Sequence, residues 1–529
     1  MLYAPNPDTD ATLIDNTFLF SISNEMEHWA PAFRYVETFV NTDGDDVTMS
    51  DHVGLYVFED KVSRGPGRID FGRLSPDGTD GGWMLTVNRM DAIPADDITA
   101  VPQNFHTAGP DGILQTPPNS AGVGDDIPRQ YNAFLNFEDP GGYDINPAQR
   151  QSIETWFQEM ENVLYGRTEN RWNDPEDGYA KYIDVDSFID YFILNNLSSN
   201  GDGFLLSMWL YNPDPQGEGK LTMGPIWDAD LGSFQGNPLG KLRRDIDRLW
   251  YTRMFEDPDF VQRHVDRWFE LRQTTLAIGH LSEVIDDLAE EITPEAVLRD
   301  DVTDWPGRLA EMKSWLAQRL PAIDQLFVPP AVLRQVPTGI AVSASDDVYY
   351  TLDGSDPRAI GGAKSASAVL LSDDVLRLES PSTVVARVFA NGQWSAPVRA
   401  TFTMRPTGDV NGDGLVNASD IDFLLAAVAQ GGFDSILDLN FDQAVDDTDV
   451  DYLVQTVLRT EAGDTNLDGQ IDFADFLRLA ANYGSVASWS GGNFDADPLV
   501  DFSDFLILSG NFGFKRASSM AVRATARTL

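Results

Sequence analysis

Tyr182–Phe234, YIDVDSFIDYFILNNLSSNGDGFLLSMWLYNPDPQGEGKLTMGPIWDADLGSF, is the stretch that decides the fold. Val185, Phe188, Ile189, Phe192, Ile193 and Asn196/Leu197 fall at helical spacing, with Asp184 or Asp186 placed to cap the start. Asn200-Gly201-Asp202-Gly203 breaks that helix. Two strands, about Leu205–Tyr211 and Lys220–Ile226, then flank a Pro/Gly-rich hairpin at Asn212–Gly219, and the second ends on Trp227-Asp228-Ala229-Asp230. Such a layout returns the chain on itself, so that Asp202 and the Asp228/Asp230 pair can meet at one end of the hairpin. Carboxylates converging on apolar walls suit a Mg²⁺ or Mn²⁺ ion that also holds nucleotide phosphates.

Three pieces, YIDVDSFIDYFILNNLSSNGDG, the strand ending in Leu-Tyr, and GPIWDADLGSF, resemble the CotH family of atypical, secreted protein kinases first known from spore coats. Kinases use one loop Asp to orient the attacking hydroxyl and a later Asp to hold the metal. The resemblance implies that Asp202 is the catalytic Asp and that Asp228 and Asp230 form the metal-binding turn, with Asp228 serving both catalysis and nucleotide. Many relatives carry an Asn five residues after the loop Asp as a second metal ligand; this chain has Ser207.

Upstream, residues 1–100 read as strands and turns, including Phe33–Val40, Val53–Val62 and Gly82–Val87. Family members carry a strand running into an acidic-Lys pair, then an Arg-x-Asp segment, and Asp60-Lys61 and Arg68-Asp70 match that pattern. The resemblance makes this a nucleotide-covering lobe with Lys61 and Arg68 as phosphate-binding candidates. Relatives have a further basic, β-rich section before this lobe. The chain is therefore expected to start inside a longer gene product, which would explain why Met1 begins no signal peptide. No glycine-rich P-loop of the Walker type is present. Residues 101–148 read as a long irregular connection, Gln149–Tyr165 as an amphipathic helix, and residues 256–328 as helical.

Pro329-Pro330 marks a boundary, after which the apolar period changes to two. YYTLDGSDPR and VVARVFANGQWSAP resemble the small β-sandwich at the C-terminus of chitobiases and hexosaminidases, here a spacer or weak carbohydrate contact.

The sharpest spacing lies in residues 405–514. Asp409, Asn411, Asp413, Asn417 and Asp420 place oxygens at positions 1, 3, 5, 9 and 12 of a calcium loop that leads into an apolar helix. The pattern recurs at Asp438, Asn440, Asp442, Asp446 and Asp449, then at Asp464, Asn466, Asp468, Asp472 and Asp475. Its fourth copy is Asn493, Asp495, Asp497, Asp501 and Asp504. Loops one and three have Gly414 and Gly469 at position 6, whereas loops two and four have Gln443 and Pro498 and are expected to bind more weakly. These loop–helix pairs resemble type I dockerin repeats, which implies Ca²⁺ as ligand and a cohesin-like docking partner.

Composition bounds the alternatives. A chain of 529 residues exceeds one core, and three or four domains follow. The formal charge of −47 argues against nucleic acid and anionic membrane surfaces and favours divalent cations. There is no cysteine, no apolar run long enough to span a membrane, and no ligand spacing among the five histidines.

The reading is a multi-domain extracellular or cell-surface protein. It has an α+β atypical protein-kinase-like domain at 1–328, an all-β sandwich at 329–404, two small all-α calcium-loop modules at 405–462 and 463–514, and a disordered basic tail at 515–529. The expected activity is transfer of the ATP γ-phosphoryl group, with Mg²⁺ or Mn²⁺, to a protein Ser or Thr. The alternative is a non-catalytic surface adhesin that uses the kinase-like fold as a scaffold. A polysaccharide-degrading enzyme is suggested only by the accessory modules.

Overall fold

In the computed structural model, the described residues are 1–88, 104–110, 134–168, 171–230, 232–246, 248–299, 304–336, 339–378, 381–402, 408–431, 434, 436–440, 442, 444–495, 497 and 499–516. The expected basic tail from residue 517 onward, much of the 101–148 connection, and Gln443 and Pro498 lie outside them.

Two compact units emerge. The first comprises Met1–Pro329 with Arg358–Lys364 and Phe389–Ala396. It opens with β1 (Leu2–Tyr3), α1 (Asp15–Glu25), β2 (Phe33–Phe39) and β3 (His52–Glu59), and the strands form an antiparallel sheet in the order β1-β3-β2. A five-stranded sheet follows from β4 (Trp83–Val87), β5 (Asn104–His106), β6 (Phe134–Asp139), β7 (Met208–Asn212) and β8 (Thr222–Met223), in the order β5-β6-β4-β7-β8. Helices α2 (Pro147–Leu164), α3 (Val185–Ser198), α4 (Tyr251–Met254), α5 (Pro258–Arg272), α6 (Ile278–Glu290), α7 (Pro294–Arg299) and α8 (Trp305–Asp324) complete it.

The helix periods hold. In α2, Ile153, Trp156, Phe157, Met160, Val163 and Leu164 are buried, and Asn146 starts the helix with a capping box to Gln149. In α3, Asp184 is the cap and Phe188, Ile189, Phe192, Ile193 and Leu197 are buried.

The strands differ from the sequence reading in three respects. Both hairpin strands are shorter than expected, because Ser207 at φ 55° and Gly224 at φ 117° leave the extended region, and Pro225 brings no amide donor. Residues 83–87 join β7 instead of the N-terminal strands. All five are buried, as befits the central strand of that sheet. Finally, the irregular connection contributes β5 and β6 to that same sheet.

His264 is fully enclosed by aromatic rings, 5.0 Å from Phe192 and 5.4 Å from Phe327 between centroids. Burial pushes its imidazole down to about 3, so the folded chain holds it neutral. The unfolded state then binds more protons between pH 6.5 and 3, and His264 opposes folding increasingly as pH falls through that window. It contributes a slope of about 1.4 kcal/mol per pH unit. Chemical denaturation across pH 3–7 is expected to show a shallower acid loss in His264→Phe than in the wild type.

The second unit comprises Pro330–Pro357, Ser365–Val388 and Pro397–Leu529. The β-part of the chain contains β9 (Val332–Val336), β10 (Gly339–Ser343), β11 (Asp347–Thr351), β12 (Val369–Leu370) and β13 (Val375–Arg377), followed by β14 (Ser382–Ala390), β15 (Gln393–Trp394) and β16 (Val398–Phe402), of which β15 and the last two residues of β14 fall in the first unit. One sheet runs β13-β10-β9; the other runs β12-β11-β14-β15, with β16 also paired to β14. Helices α9 (Ala418–Gln430), α10 (Asp447–Asp451), α11 (Phe473–Asn482) and α12 (Phe502–Asn511) follow. Apolar residues from Val410 to Leu508 form one cluster drawn from all four repeats. Trp489 ties the halves: its backbone N–H donates to Asp422 and its indole N–H to the Asp464 carbonyl, at 2.7 and 2.8 Å. No described helix is long and apolar enough to cross a membrane.

Candidate active site

The loop after α3 is built around Asn200. Its side-chain oxygen accepts the backbone N–H groups of Asp202 (3.1 Å) and Gly203 (3.2 Å), and its amide donates to Asn195 Oδ1 (3.0 Å) and the Asp228 carbonyl (3.5 Å). One buried side chain thus sets both the loop carrying Asp202 and the turn carrying Asp228. Asp202 opens a single 3-10 turn, Asp202–Phe204, and is half-buried. A Cβ on Gly203 would lie 1.8 Å from Asn195 Oδ1. Gly203→Ala is therefore expected to cost about 2 kcal/mol or more and to lower the thermal midpoint of the first unit, read by calorimetry.

Asp228 adopts φ 59°, which turns the chain back after Trp227. Its Oδ2 accepts the Ser207 hydroxyl at 2.5 Å. Desolvation raises the Asp228 carboxyl above the usual range, and the negative charges of Asp230 and Asp202 add to the effect. The three acids expected from sequence are therefore brought into one electrostatic neighbourhood. Asp230 accepts the Tyr3 hydroxyl, and the Ala229 N–H between the two acids donates to Asn16 Oδ1 at 2.7 Å.

Lys61 is exposed, and its ammonium has no ion pair among the described residues. Arg68, also exposed, pairs with Asp60 at 3.3 Å and donates to Ser63 at 2.8 Å. Val62, Ile69, Phe71 and Met84 form a small buried cluster with Trp209, Tyr211 and Trp227 packed against it, which joins the flank of Lys61 to the flank of Asp228.

Four contributors escaped the sequence reading: Tyr3, Asn16, Lys241 and Arg319. The Lys241 ammonium lies 3.8 Å from where a side chain on Gly201 would begin, next to the Asp202 loop. Buried Arg319 from α8 fixes that segment, donating to the carbonyls of Pro238 (2.8 Å), Asn196 (2.7 Å) and Lys241 (3.3 Å). Asn196 also holds Arg243 through paired bonds of 2.8 and 3.1 Å.

The donor set at the turn fits Mg²⁺ or Mn²⁺ chelated by a nucleotide. Hard carboxylate oxygens are present, and the negative charge that Asp230 and Asp202 add to desolvation at Asp228 is relieved by a cation. Among the described residues no group of three or more His, Asp or Glu side chains is poised to hold a metal by itself. Mg²⁺ commonly needs only one or two carboxylates, with phosphates and water completing the shell.

In the four acidic loops one hydrogen-bond scheme repeats. Asn417, Asp446, Asp472 and Asp501 cap their helices, and the position-12 Asp closes each capping box. That Asp is buried in every loop. Asp420 links the N–H of Val410 (2.9 Å) to that of Asn417 (2.9 Å), and Asp449, Asp475 and Asp504 do the same in their own loops. Asp409 accepts from Gly412 and Gly414, and Asp464 from Asp468 and Gly469, which curls each loop around the side chain at its position 1. Gly414 and Gly469 stand at φ 87° and 83°, the left-handed turn that position 6 requires. Asn493 Oδ1, at position 1 of the fourth loop, is buried without a hydrogen-bond partner. The oxygen side chains and the orphan acceptor are the donor types Ca²⁺ takes, though among the described residues no three acidic side chains of a loop converge on one point.

No curated protein matches the chain. Residues 129–323, which include α3, the Asp202 loop and the acidic turn, match the family model described as CotH kinase protein.

Proposed function

We propose that the first unit transfers the γ-phosphoryl group of ATP to a protein Ser or Thr. The observation that carries this reading is the convergence of Asp202 and the Asp228/Asp230 turn, fastened together by Asn200, inside the segment that matches the kinase family. Asp202 accepts a hydrogen bond from the acceptor hydroxyl and orients its oxygen toward the γ-phosphorus. Asp228 and Asp230 would hold Mg²⁺ or Mn²⁺, which supplies charge neutralisation at the phosphates when bound. Tyr3 and Asn16 keep the turn in position. Lys61 and Arg68 are cations for the phosphates, and Lys241 is a third beside the Asp202 loop. Lys241→Met is expected to lower turnover about 10-fold or more while leaving the fold intact, measured as initial rate against ATP.

Calorimetric titration of the full chain with ATP tests the nucleotide site. Saturable binding that requires Mg²⁺ or Mn²⁺ supports it; no binding by the folded chain in either metal overturns it.

The second reading, a non-catalytic surface adhesin or assembly protein, is favoured by Ser207. Its hydroxyl occupies an oxygen of Asp228 at the position where many relatives carry a metal-ligating Asn.

In the second unit, the four acidic loops are dockerin-like Ca²⁺ sites that anchor the protein, with a cohesin-like domain as the docking partner. Support comes from exposed apolar side chains 29 residues apart: Phe473 and Leu477 on α11, Phe502 and Leu506 on α12. The β-part serves as a spacer. Sites this acidic suit an extracellular or cell-surface location, where Ca²⁺ is abundant.

A further inference from the structure

The chain carries 84 Asp and Glu against 37 Lys and Arg, yet four of those cations, Lys241, Arg243, Arg244 and Arg248, stand within eight residues beside the Asp202 loop. The Lys241 ammonium flanks Gly201, just before Asp202. Arg243 flanks the other end of the Asp202–Phe204 turn, its guanidinium carbon 5.5 Å from the centre of the Phe204 ring. Arg244 lies close enough to His264 for its charge to oppose protonation of that ring. Phe204 and His264 both pack against Phe192, at 5.5 and 5.0 Å between centroids, so the two arginines border one aromatic cluster.

Arg243 and Arg244 are half-buried, and their nitrogens still reach solvent, so an incoming group can meet them. Among the described residues neither side chain has a hydrogen bond or an ion pair, and the exposed Asp245 next to them pairs with neither. Desolvation holds Arg243 below the usual arginine range, and the charge of Arg248 adds to the effect. Buried Arg319 feels the charge of Arg243 in turn. Crowded cations with unspent donors are relieved by an anion, and a carboxylate takes a guanidinium fork through two N–H bonds. The main chain here is fixed: Asn196 bonds both the N–H and the carbonyl of Arg243, and Arg319 gathers the carbonyls of Pro238 and Lys241. A cation on a fixed segment loses little freedom on binding. A nucleic-acid strand needs a long basic track and is repelled by the formal charge of −47. An acidic side chain carried beside an acceptor hydroxyl meets only the local patch.

We propose that Arg243 and Arg244 bind acidic side chains of the protein acceptor, so that the site selects a Ser or Thr with Asp or Glu within a few positions of its hydroxyl. Lys241, on the Gly201 side of the turn, stays with the nucleotide phosphates. The acceptor role rests on the phosphotransfer reading; affinity of the patch for an acidic peptide does not.

Calorimetric titration of the full chain with a terminally blocked Glu-Glu-Ala-Ser-Ala-Glu-Glu peptide, and with the same peptide carrying Gln for Glu, tests the surface. The Glu peptide is expected to bind saturably against the repulsion of the whole chain, and the Gln peptide about 10-fold or more weakly. Arg243→Gln should weaken Glu-peptide binding about 10-fold or more, and Arg244→Gln about 3-fold or more. Should Arg243→Gln fail to fold, Arg244→Gln and the Gln peptide decide. In assays with Mg²⁺ and ATP, kcat/KM for the Glu peptide over that for the Gln peptide should be about 10 or more in the wild type and fall toward about 1 in Arg243→Gln, a ratio that a merely structural role would not move. Equal binding of the two peptides, equal affinity in wild type and every folded variant, or displacement of the Glu peptide by ATP with Mg²⁺ overturns the proposal. Saturable Glu-peptide binding by a chain that binds no ATP would keep this surface and remove phosphotransfer. Transfer to both peptides with equal kcat/KM would keep phosphotransfer and remove the surface.

Discussion

Asp228→Asn is expected to reduce phosphoryl transfer by at least about 10³-fold, equivalent to about 4 kcal/mol of transition-state stabilisation. The substitution keeps the size of the side chain and an oxygen that can accept the Ser207 hydroxyl, so the turn at φ 59° is retained. It removes one of the negative charges that would hold the metal against the phosphates. Asp202→Ala should cost a similar factor by a different route, since nothing then orients the acceptor hydroxyl. The two variants separate in binding. Asp228→Asn is expected to weaken metal-dependent ATP binding, whereas Asp202→Ala should leave it nearly unchanged. Parallel initial-rate and calorimetric measurements read both effects, and equal loss of ATP binding in the two variants would contradict the division of roles.

Removal of Ca²⁺ is expected to unfold the helical part of the second unit while the first unit stays folded. Residues 401–510 carry 20 Asp and Glu against three Arg, and the buried position-12 acids are tied only to backbone amides and, in the third loop, the Thr465 hydroxyl. Self-repulsion of that density opposes a core that must be shared among four short repeats. Each site occupied at 100-fold above its dissociation constant adds about 2.7 kcal/mol, a large share of the stability of a domain this size. Calorimetry of the full chain should show two transitions in Ca²⁺, one of which disappears or shifts down by about 10 °C or more in EGTA. A thermogram indifferent to EGTA would remove calcium from the account. Asp464→Ala should reproduce much of the loss, because that side chain gathers the Asp468 and Gly469 amides and the Thr460 hydroxyl.

Much of this was legible in the chain because it is local. The period of α3, the cap at Asp184 and the break at Asn200–Gly203 lie within about twenty residues, and each acidic repeat leads directly into its capped helix. Asn200 was visible as part of a turn, though not as the group that joins two loops. What sequence did not reveal depends on contacts across long stretches. Tyr3 reaches Asp230 over 227 positions, and Arg319 reaches Asn196 over 123. No periodicity encodes such pairs. Trp83–Val87 was placed with its sequence neighbours because a buried central strand carries no alternation to say which sheet it joins. Trp489 likewise gave no sign that it would join two pairs of acidic loops around one apolar cluster.

The most direct test of the central claim is transfer of label from γ-phosphate-labelled ATP by the full chain, with Mg²⁺ or Mn²⁺, to itself and to a general protein acceptor. The account predicts metal-dependent incorporation on Ser or Thr, mapped by mass spectrometry and lost in both Asp202→Ala and Asp228→Asn. Incorporation that persists in both variants, or none from a folded wild-type chain that binds ATP, would contradict it and leave the binding scaffold as the reading of this domain.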